Sequence, residues 1–280
     1  MSCNRRVILA SACVSILSVG CVASLPGNRV KEQVSGYWRV ITSNGLPDHV
    51  IDATKYADLP GEQDHTFVMP AYPGTSDENE VTPLPFLELF GVALNGVPLD
   101  PHAAAWWNPP GGLRLDWVYD ALHPSAPLPG FDDSNAHVQP DHTYHYHGLP
   151  MELFDRLSAE AGSLVVQVGW GFDGTPVFGP ACESGTPIPL IVQSGYRLVE
   201  DRGLDSPPVN AMNPLGVFVR DWMYDPDPGD LDECNGHTAE LDGWGEVYHY
   251  HLTVDFPMIP RCYRRRLSPI EGPTNLDPLD

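Results

Sequence analysis

Basic residues are scarce in this sequence. Its 280 residues include 15 Lys and Arg against 37 Asp and Glu, which gives a formal net charge of −22 at pH 7. Proteins that bind nucleic acid neutralise phosphates with Lys and Arg, so this composition excludes nucleic acid as a partner. The same charge disfavours adhesion to anionic lipid. An acidic surface keeps a protein soluble and by itself indicates no substrate.

Helical periodicity is also nearly absent. Residues Met151 to Ala161 have apolar side chains at helical spacing, whereas short segments rich in β-branched and aromatic residues alternate with turn signals. The sequence contains 30 Pro and 26 Gly, yet 42% of its residues are hydrophobic. We therefore predict a mainly β protein, a single-domain β sandwich or distorted barrel with long Gly/Pro-rich loops and little helix. The candidate strands are Tyr37 to Thr42, His65 to Met69, Leu164 to Trp170, Tyr196 to Val199 and Val217 to Met223.

The apolar run near the amino terminus, Val7 to Val19, is too short for a permanent membrane span. It follows Arg5 and Arg6 and precedes small residues, which is the pattern of an export signal. We predict a signal peptide over residues 1–23, a spacer over 24–34, a β domain over 35–262 and a flexible tail over 263–280. The expected location is the periplasm or cell envelope.

A lipid anchor is one outcome of such a signal. Residues 17–21, Leu-Ser-Val-Gly-Cys, resemble the lipobox of bacterial lipoproteins, in which the cysteine, here Cys21, is acylated. The large aliphatic residue lies one place too far upstream for a full match. Cleavage near Ala23 without lipidation is the alternative, and the residues leave both open. Membrane association is expected only through such an anchor.

Histidine, in contrast, is concentrated in two places. The peptide Tyr-His-Tyr-His occurs at residues 144–147 and again at 248–251, each time after an Asn-x-His, at residues 135–137 and 235–237. Because successive side chains of a strand point to opposite faces, each copy places two imidazoles on one face and two phenols on the other. We predict that the tyrosines pack in the core. A duplication of two similar halves would explain the two copies.

Neutral imidazole nitrogens are good ligands for zinc and copper. If the two tetrapeptides form neighbouring strands, their histidine pairs converge on one ion, and the upstream histidines supply further donors. The competing interpretation is a pair of aromatic strands whose histidines hydrogen-bond to the backbone. The predicted metal ligands are His145, His147, His249, His251, His137 and His237.

Cysteine is scarce outside the predicted signal, where Cys182, Cys234 and Cys262 remain. In an oxidising compartment two of these three are expected to pair. Cys234 and Cys262 flank the second tetrapeptide, and we predict a disulfide between them. Cys182 is then the free thiol.

Carboxylates near the histidine segments suggest further sites. Asp230 and Asp232 lie in an acidic run that could bind calcium, although the run lacks EF-hand spacing and a solvated turn is the alternative. Asp173 and Glu233 are the candidate proton acceptors if the protein is an enzyme. The Asp-Gly turn that contains Asp173 is by itself sufficient to account for that residue.

Besides the tetrapeptides, the sequence contains several further motifs: Phe90 to Pro98 (FGVALNGVP), Asn135 to Pro140 (NAHVQP), Tyr144 to Pro150 (YHYHGLP), Asp173 to Pro180 (DGTPVFGP) and Gly229 to His237 (GDLDECNGH). Together these motifs resemble the bacterial YHYH domain family. The resemblance spans roughly Ser35 to Cys262 and implies an exported bacterial protein with these domain limits, and it implies no activity.

Three functions fit these observations. The first is an exported envelope protein that binds zinc or copper through paired histidines on two strands. The second is a metal-dependent periplasmic hydrolase or oxidoreductase, which requires an open coordination position on the metal. The third is a non-catalytic module that binds a polysaccharide or a protein without metal. Convergence of the histidine ring nitrogens would favour the first two, and scattered rings would favour the third.

Overall fold

A computed structural model describes residues 27–72, 81–128, 130–183, 188–227, 229–241 and 244–264. The predicted signal peptide, with the candidate acylation site Cys21, lies outside the described residues, as does most of the predicted tail. None of the helices in the described ranges has the length and apolar content that a membrane crossing requires.

The described residues are mostly β, which confirms the predicted fold class. In chain order the strands are β1 (Val30–Ser35), β2 (Trp38–Ser43), β3 (His65–Pro70), β4 (Thr82–Pro83), β5 (Gly91–Ala93), β6 (Pro98–Leu99), β7 (Trp106–Trp107), β8 (Arg114–Val118), β9 (Ala136–Val138), β10 (Tyr144–Tyr146), β11 (Gln167–Gly171), β12 (Pro176–Phe178), β13 (Ala181–Cys182), β14 (Leu190–Ile191), β15 (Tyr196–Leu198), β16 (Trp222–Tyr224), β17 (Gly236–Leu241), β18 (Gly245–His251) and β19 (Cys262–Tyr263). Within the same ranges there are one α-helix, α1 (Met151–Ala161), and two 3-10 turns, Ala53–Lys55 and Val219–Asp221.

Helix α1 begins and ends at the predicted residues. Its buried side chains are Leu153 and Phe154, and it is followed by Gly162 in the left-handed conformation, with a φ of +64°. Glycine adopts this conformation without a Cβ clash, so the helix ends where the sequence supplies one. The apolar spacing along residues 151–161 therefore identified both the helix and the face that it buries.

The predicted strand at residues 217–223 is only partly formed. Its first part is replaced by the 3-10 turn Val219–Asp221, and β16 begins at Trp222. The side chain of Asp221 accounts for the turn, because its Oδ2 accepts hydrogen bonds from the backbone N–H groups of Gly216 and Phe218 at 2.9 and 3.1 Å. Such side-chain-to-backbone bonds compete with the strand ladder.

A paired strand and a buried side chain lie beyond the predicted domain limits of residues 35 and 262. The predicted spacer includes β1, which pairs antiparallel with β2 from Val30↔Ser43 to Ser35↔Trp38. All six residues of β1 are exposed, so the polar composition that suggested a spacer belongs to a solvated edge strand. At the other end Tyr263 is buried, and its hydroxyl donates to the carbonyl of Phe90 at 2.6 Å.

The central feature of the fold is an eight-stranded sheet in the order β17-β18-β12-β11-β5-β6-β10-β9. Strands β17 and β9 form its two edges, so among the described strands the sheet is open and the barrel alternative is not borne out. Strands β11 and β5 meet antiparallel at the centre. Helix α1 and the sheet formed by β1, β2 and β3 pack against this sheet.

The sheet consists of two halves with one topology. The first half comprises β5, β6, β9 and β10, and the second half comprises β11, β12, β17 and β18. In each half an inner hairpin pairs in parallel with one strand of an outer hairpin, through β6 with β10 and through β12 with β18. This arrangement supports a duplication as the origin of the two tetrapeptides.

The inner hairpins of the two halves also correspond in detail. They turn at Asn95-Gly96 and Asp173-Gly174, whose glycines have left-handed φ values of +79° and +83°. The Asn95 amide donates to the hydroxyl of Tyr146 at 2.9 Å, and the hydroxyl of Tyr250 donates to Asp173 at 2.8 Å. Each turn therefore anchors the third residue of the tetrapeptide in its own half.

The two faces of the central sheet have different partners. The tyrosine face lies in the main core, where Tyr144, Tyr146 and Tyr250 are fully buried among apolar residues that include those of α1. The opposite face carries Val92 and Trp170, which pack against the sheet formed by β1, β2 and β3. By strand alternation the histidines lie on this second face, towards the sheet edges. The predicted separation of phenols and imidazoles is confirmed.

The cysteines behave as predicted. Cys234 and Cys262 form a disulfide with their Cα atoms 5.1 Å apart. Cys182 is a buried free thiol, and burial raises the pKa of this thiol, with Asp230 and Glu183 adding to the effect. Cys182 is therefore poorly suited to act as a nucleophile.

Candidate metal centre

Each tetrapeptide meets the Asn-x-His segment of its own half. In the second half His237 lies opposite His249, and in the first half His137 lies opposite His145. Four strands, β12, β11, β5 and β6, separate β18 from β10. Five strand spacings of about 4.8 Å place the two histidine pairs roughly 24 Å apart. The prediction that both pairs converge on one ion is therefore wrong.

The six predicted ligands instead form two separate clusters. Each cluster combines one histidine from an Asn-x-His segment with the two histidines of the tetrapeptide in the same half. The first triad is His137, His145 and His147, and the second triad is His237, His249 and His251.

The second triad has the geometry of a ligand set. The Nε2 atom of His237 lies 3.1 Å from Nε2 of His249 and 3.2 Å from Nε2 of His251. Potential ligand atoms of all three lie within 4.8 Å of one another. Three nitrogens bound tetrahedrally to zinc at about 2.0 Å are separated by about 3.3 Å. The two Nε2 separations that involve His237 thus already match those of ligands on one ion.

Hydrogen bonds determine which ring nitrogen faces the centre of the second triad. Nδ1 of His249 lies 3.1 Å from the carbonyl oxygen of Val247, and Nδ1 of His251 lies 2.6 Å from that of Gly179. A carbonyl can only accept, so both Nδ1 atoms carry the hydrogen and both Nε2 atoms present a lone pair. Hydrogen bonds of this kind orient metal-binding imidazoles in proteins. The lone pairs converge on a point that suits a cation.

Burial keeps these imidazoles neutral. His249 and His251 are fully buried, and His237 is partly exposed. Desolvation lowers the pKa of His249 to about 4 and that of His251 to about 3, and it also lowers the pKa of His237. Neutral imidazole is the form that binds metal, so the triad does not have to lose protons before an ion enters.

Asp232 holds the turn that precedes the second triad. Its Oδ1 accepts hydrogen bonds from the backbone N–H groups of Cys234 and Gly236 at 2.9 and 3.0 Å. Its Oδ2 accepts from the hydroxyl of Tyr248 at 3.0 Å and from Nε of Arg264 at 2.9 Å. One carboxylate therefore connects the turn, the tetrapeptide strand and the segment that follows the disulfide.

Asn235 connects the two strands that carry the triad. It has a left-handed φ of +53°, and its amide donates to the carbonyl of Pro257 at 2.6 Å. The backbone carbonyl of Asn235 accepts a hydrogen bond from the backbone N–H of His251 at 2.8 Å. Asparagine tolerates the left-handed conformation better than most residues, which explains its place two residues before His237.

The first half repeats this turn. Asp132 Oδ1 accepts from the backbone N–H groups of Ser134 and Ala136, both at 2.9 Å, and its Oδ2 accepts from the hydroxyl of Tyr144 at 2.6 Å. Asn135 has a φ of +59°. The sequence analysis did not single out Asp132, and it did not identify the part that Asp232 plays in positioning the histidines. The signal was present, because Asp-x-x-Asn-x-His occurs at residues 132–137 and again at 232–237.

In the first triad His137 lies farther from the other two imidazole rings than His237 does in the second. The Nε2 atoms of its buried pair, His145 and His147, are 2.9 Å apart. The ring centroid of His137 lies 5.5 and 6.1 Å from those of the pair, whereas the corresponding distances in the second triad are 4.7 and 4.9 Å. Burial lowers the pKa of His145 to about 4 and holds that of His147 well below its usual range.

The acidic run before the second triad does not support a calcium site. Asp230 accepts the backbone N–H of Gln193 at 2.9 Å, and both oxygens of Asp232 accept from the donors described above. Carboxylate oxygens that face N–H and O–H donors cannot together form the oxygen cage that calcium requires. Among the described residues, the group of three or more ligating side chains that could hold a metal ion is the second triad.

The two candidate proton acceptors lie outside both triads. Asp173 is 2% exposed, and its carboxylate accepts from the N–H and hydroxyl of Thr175 and from the hydroxyl of Tyr250. Glu233 has a half-exposed side chain that lies 3.8 Å from Arg264. Asp173 therefore stabilises the turn of the inner hairpin. Glu233 lies at the surface beside Arg264.

The model of the YHYH protein family matches residues 66–265, a range that includes all eight strands of the central sheet and both triads. No curated protein and no solved structure matches the chain.

Proposed function

Since this chain belongs to the YHYH protein family, whose match includes both histidine segments, we propose that it is an exported cell-envelope protein that binds zinc or copper. The ion is held by the Nε2 atoms of the second triad. The observation that carries the proposal is the convergence of these three atoms, with two separations of 3.1 and 3.2 Å. Imidazole ligands suit both zinc and copper.

Export is supported by the disulfide and by the amino-terminal pattern. The bond between Cys234 and Cys262 is of a kind that persists in oxidising compartments such as the bacterial periplasm. The export signal proposed for residues 1–23 would deliver the chain there. Acylation of Cys21 would add a membrane anchor, and cleavage near Ala23 would release the protein without one.

The metal proposal is tested by removing two of the three donors. The double variant His249→Ala with His251→Ala is expected to bind about one metal ion fewer per chain than the wild type, because a single histidine cannot retain the ion. Protein is loaded with excess zinc or copper, desalted and analysed by elemental mass spectrometry. Unchanged metal content in a natively folded double variant would show that the second triad is not the site.

A matched control and a second measurement accompany this experiment. His142→Asn changes an exposed histidine outside both triads, and asparagine suits its left-handed φ of +68°. Its metal content should equal that of the wild type. At free metal 100-fold above the dissociation constant, binding stabilises the folded protein by about 2.7 kcal/mol. Chelation should therefore lower the melting temperature of the wild type more than that of the double variant.

The number of ligands favours a metal-dependent enzyme as the second candidate function. Three protein donors and a free fourth position are typical of catalytic zinc sites, whereas structural sites have four protein ligands. A bound zinc ion would lower the pKa of a water molecule towards 7, and copper would supply redox chemistry. The partial exposure of His237 places one side of the triad near solvent.

An exogenous ligand tests whether the fourth position is accessible. Protein substituted with cobalt is titrated with azide, and the visible absorption bands of the cobalt ion are recorded. We expect the bands to shift, because azide can occupy a position that the three histidines leave free. Bands that do not move at saturating azide would indicate a closed site and remove the support for an enzyme. The cobalt spectrum of the His142→Asn variant should respond as the wild type does.

A further inference from the structure

The first triad is built on the same backbone framework as the second. The carbonyl of Asn135 accepts the N–H of His147 at 2.8 Å, and the carbonyl of Asn235 accepts the N–H of His251 at the same distance. In both halves the first histidine of the tetrapeptide lies opposite the histidine of the Asn-x-His segment. The three Cα positions are therefore arranged alike in the two triads.

The ring nitrogens of the first triad are also prepared for a ligand. Nδ1 of His145 lies 3.3 Å from the carbonyl of Thr143, the counterpart of the bond from His249 to Val247. Its Nε2 lone pair therefore faces Nε2 of His147, at 2.9 Å. The two imidazoles therefore meet through their Nε2 atoms, as those of His237 and His249 do in the second triad.

The surroundings of the two triads differ in charge. In the first triad the negative charge of Asp132 acts on His137 and that of Asp141 acts on His145, but the positive charge of Arg261 acts on His147 and opposes them. In the second triad Asp232 and Asp230 both act on His237. A cation is therefore attracted more strongly to the second triad than to the first. The wider position of His137, on the edge strand β9, also means that its ring must move inward to complete a ligand set.

From this geometry we infer that the first triad is a second metal site, which binds zinc or copper through His137, His145 and His147 with lower affinity than the second triad. The inference goes beyond the proposed function, because it does not depend on whether the second triad is occupied. The duplicated framework and the 2.9 Å separation of the Nε2 atoms of His145 and His147 carry it.

Metal titration of the full chain tests this inference. Zinc is added by equilibrium dialysis, and the bound ion is counted by elemental mass spectrometry. The wild type should bind about two ions per chain in two steps. The double variant His145→Ala with His147→Ala should keep only the tighter step, and His249→Ala with His251→Ala should keep only the weaker one. The inference would be overturned if the wild type bound about one ion and the variant His249→Ala with His251→Ala bound none. That result would leave the proposed function intact.

A milder variant guards against misfolding, because His145 and His147 are buried in the sheet. His137 is partly exposed on an edge strand, so His137→Ala spares the core. It should lower the metal affinity of the weaker binding step by about tenfold or more and leave the tighter step unchanged. Loss of a hydrogen-bond partner behind a ligand already lowers metal affinity by about tenfold, and loss of the ligand itself should lower it at least as much. His142→Asn serves again as the control. Two unchanged steps in His137→Ala would overturn the inference.

Discussion

Replacing Asp232 with alanine is expected to lower the free energy of unfolding by about 3 kcal/mol. The carboxylate accepts from two backbone N–H groups, from the hydroxyl of Tyr248 and from Arg264. Alanine would leave the two N–H groups without their acceptor, and each buried donor left unsatisfied costs about 1–3 kcal/mol. The ion pair with Arg264 adds little, because both side chains are partly exposed. Urea unfolding in the presence of chelator measures the effect on the metal-free protein.

The first half supplies the matched comparison. Asp132→Ala removes the acceptor for two backbone N–H groups and for the hydroxyls of Tyr56 and Tyr144. It should therefore be destabilising to a similar extent. Its neighbour Asp133 is 91% exposed and lies 3.6 Å from Lys55, so Asp133→Ala should change stability by less than about 0.5 kcal/mol.

The conservative variant separates the hydrogen bonds from the charge. Asp232→Asn retains one oxygen that can accept from the N–H groups of Cys234 and Gly236, and it should lose less stability than Asp232→Ala. If both variants and Asp133→Ala lie within about 1 kcal/mol of the wild type, the turn does not depend on the carboxylate. Because the turn positions His237, Asp232→Ala should also reduce the metal content at the second triad.

Local periodicity was sufficient to predict the environment of each tetrapeptide. Strand alternation alone places Tyr144, Tyr146 and Tyr250 on one face and the histidines on the other, and the structure has this arrangement. Helix α1 was also a local feature, with apolar spacing before a glycine. These features depend on residues close in sequence, and a single sequence contains the information needed to predict them.

The partner of each histidine pair could not be predicted in the same way. Two strands about a hundred residues apart can pair only when the chains between them allow it, and the tetrapeptide contains no signal for that choice. Pairing of β9 with β10 and of β17 with β18 needs only a short loop, and short loops cost less closure entropy than long ones. The long-range pairings are instead those of Val177 with Tyr250, of Leu99 with Tyr146 and of Trp170 with Val92. These apolar contacts, rather than the imidazoles, determine the sheet order.

The roles of the aspartates illustrate a different limit. Asp132 and Asp232 are visible in the sequence, and the acidic run around Asp232 left two interpretations open, a calcium ligand and a solvated turn. Its actual partners are backbone N–H groups within four residues, together with Tyr248 and Arg264. The repeat spacing of Asp, Asn and His would have distinguished the two interpretations, because a turn that positions histidines recurs wherever the histidines do.

Loss of the disulfide is the second large effect that we expect. In the double variant Cys234→Ala with Cys262→Ala, the unfolded chain regains the freedom of a loop of 28 residues. Chain-entropy arguments put the resulting loss of stability at about 3.5 kcal/mol. Urea unfolding of the variant, compared with oxidised wild type in the presence of chelator, measures the loss. The control Cys182→Ala retains the disulfide, and its free energy of unfolding shows the effect of replacing one buried cysteine by alanine.

Metal binding at the second triad should nevertheless survive this loss. Cys234 lies in the turn that precedes the triad, but Ser134 occupies the equivalent position of the first half, is equally buried, and forms the same hydrogen bond to its aspartate. The turn therefore forms without a covalent bond, and the disulfide mainly attaches the segment up to Tyr263. We expect the double variant to bind metal with wild-type stoichiometry at temperatures where it is folded. A folded variant without metal at the second triad would instead show that the disulfide positions the ligands.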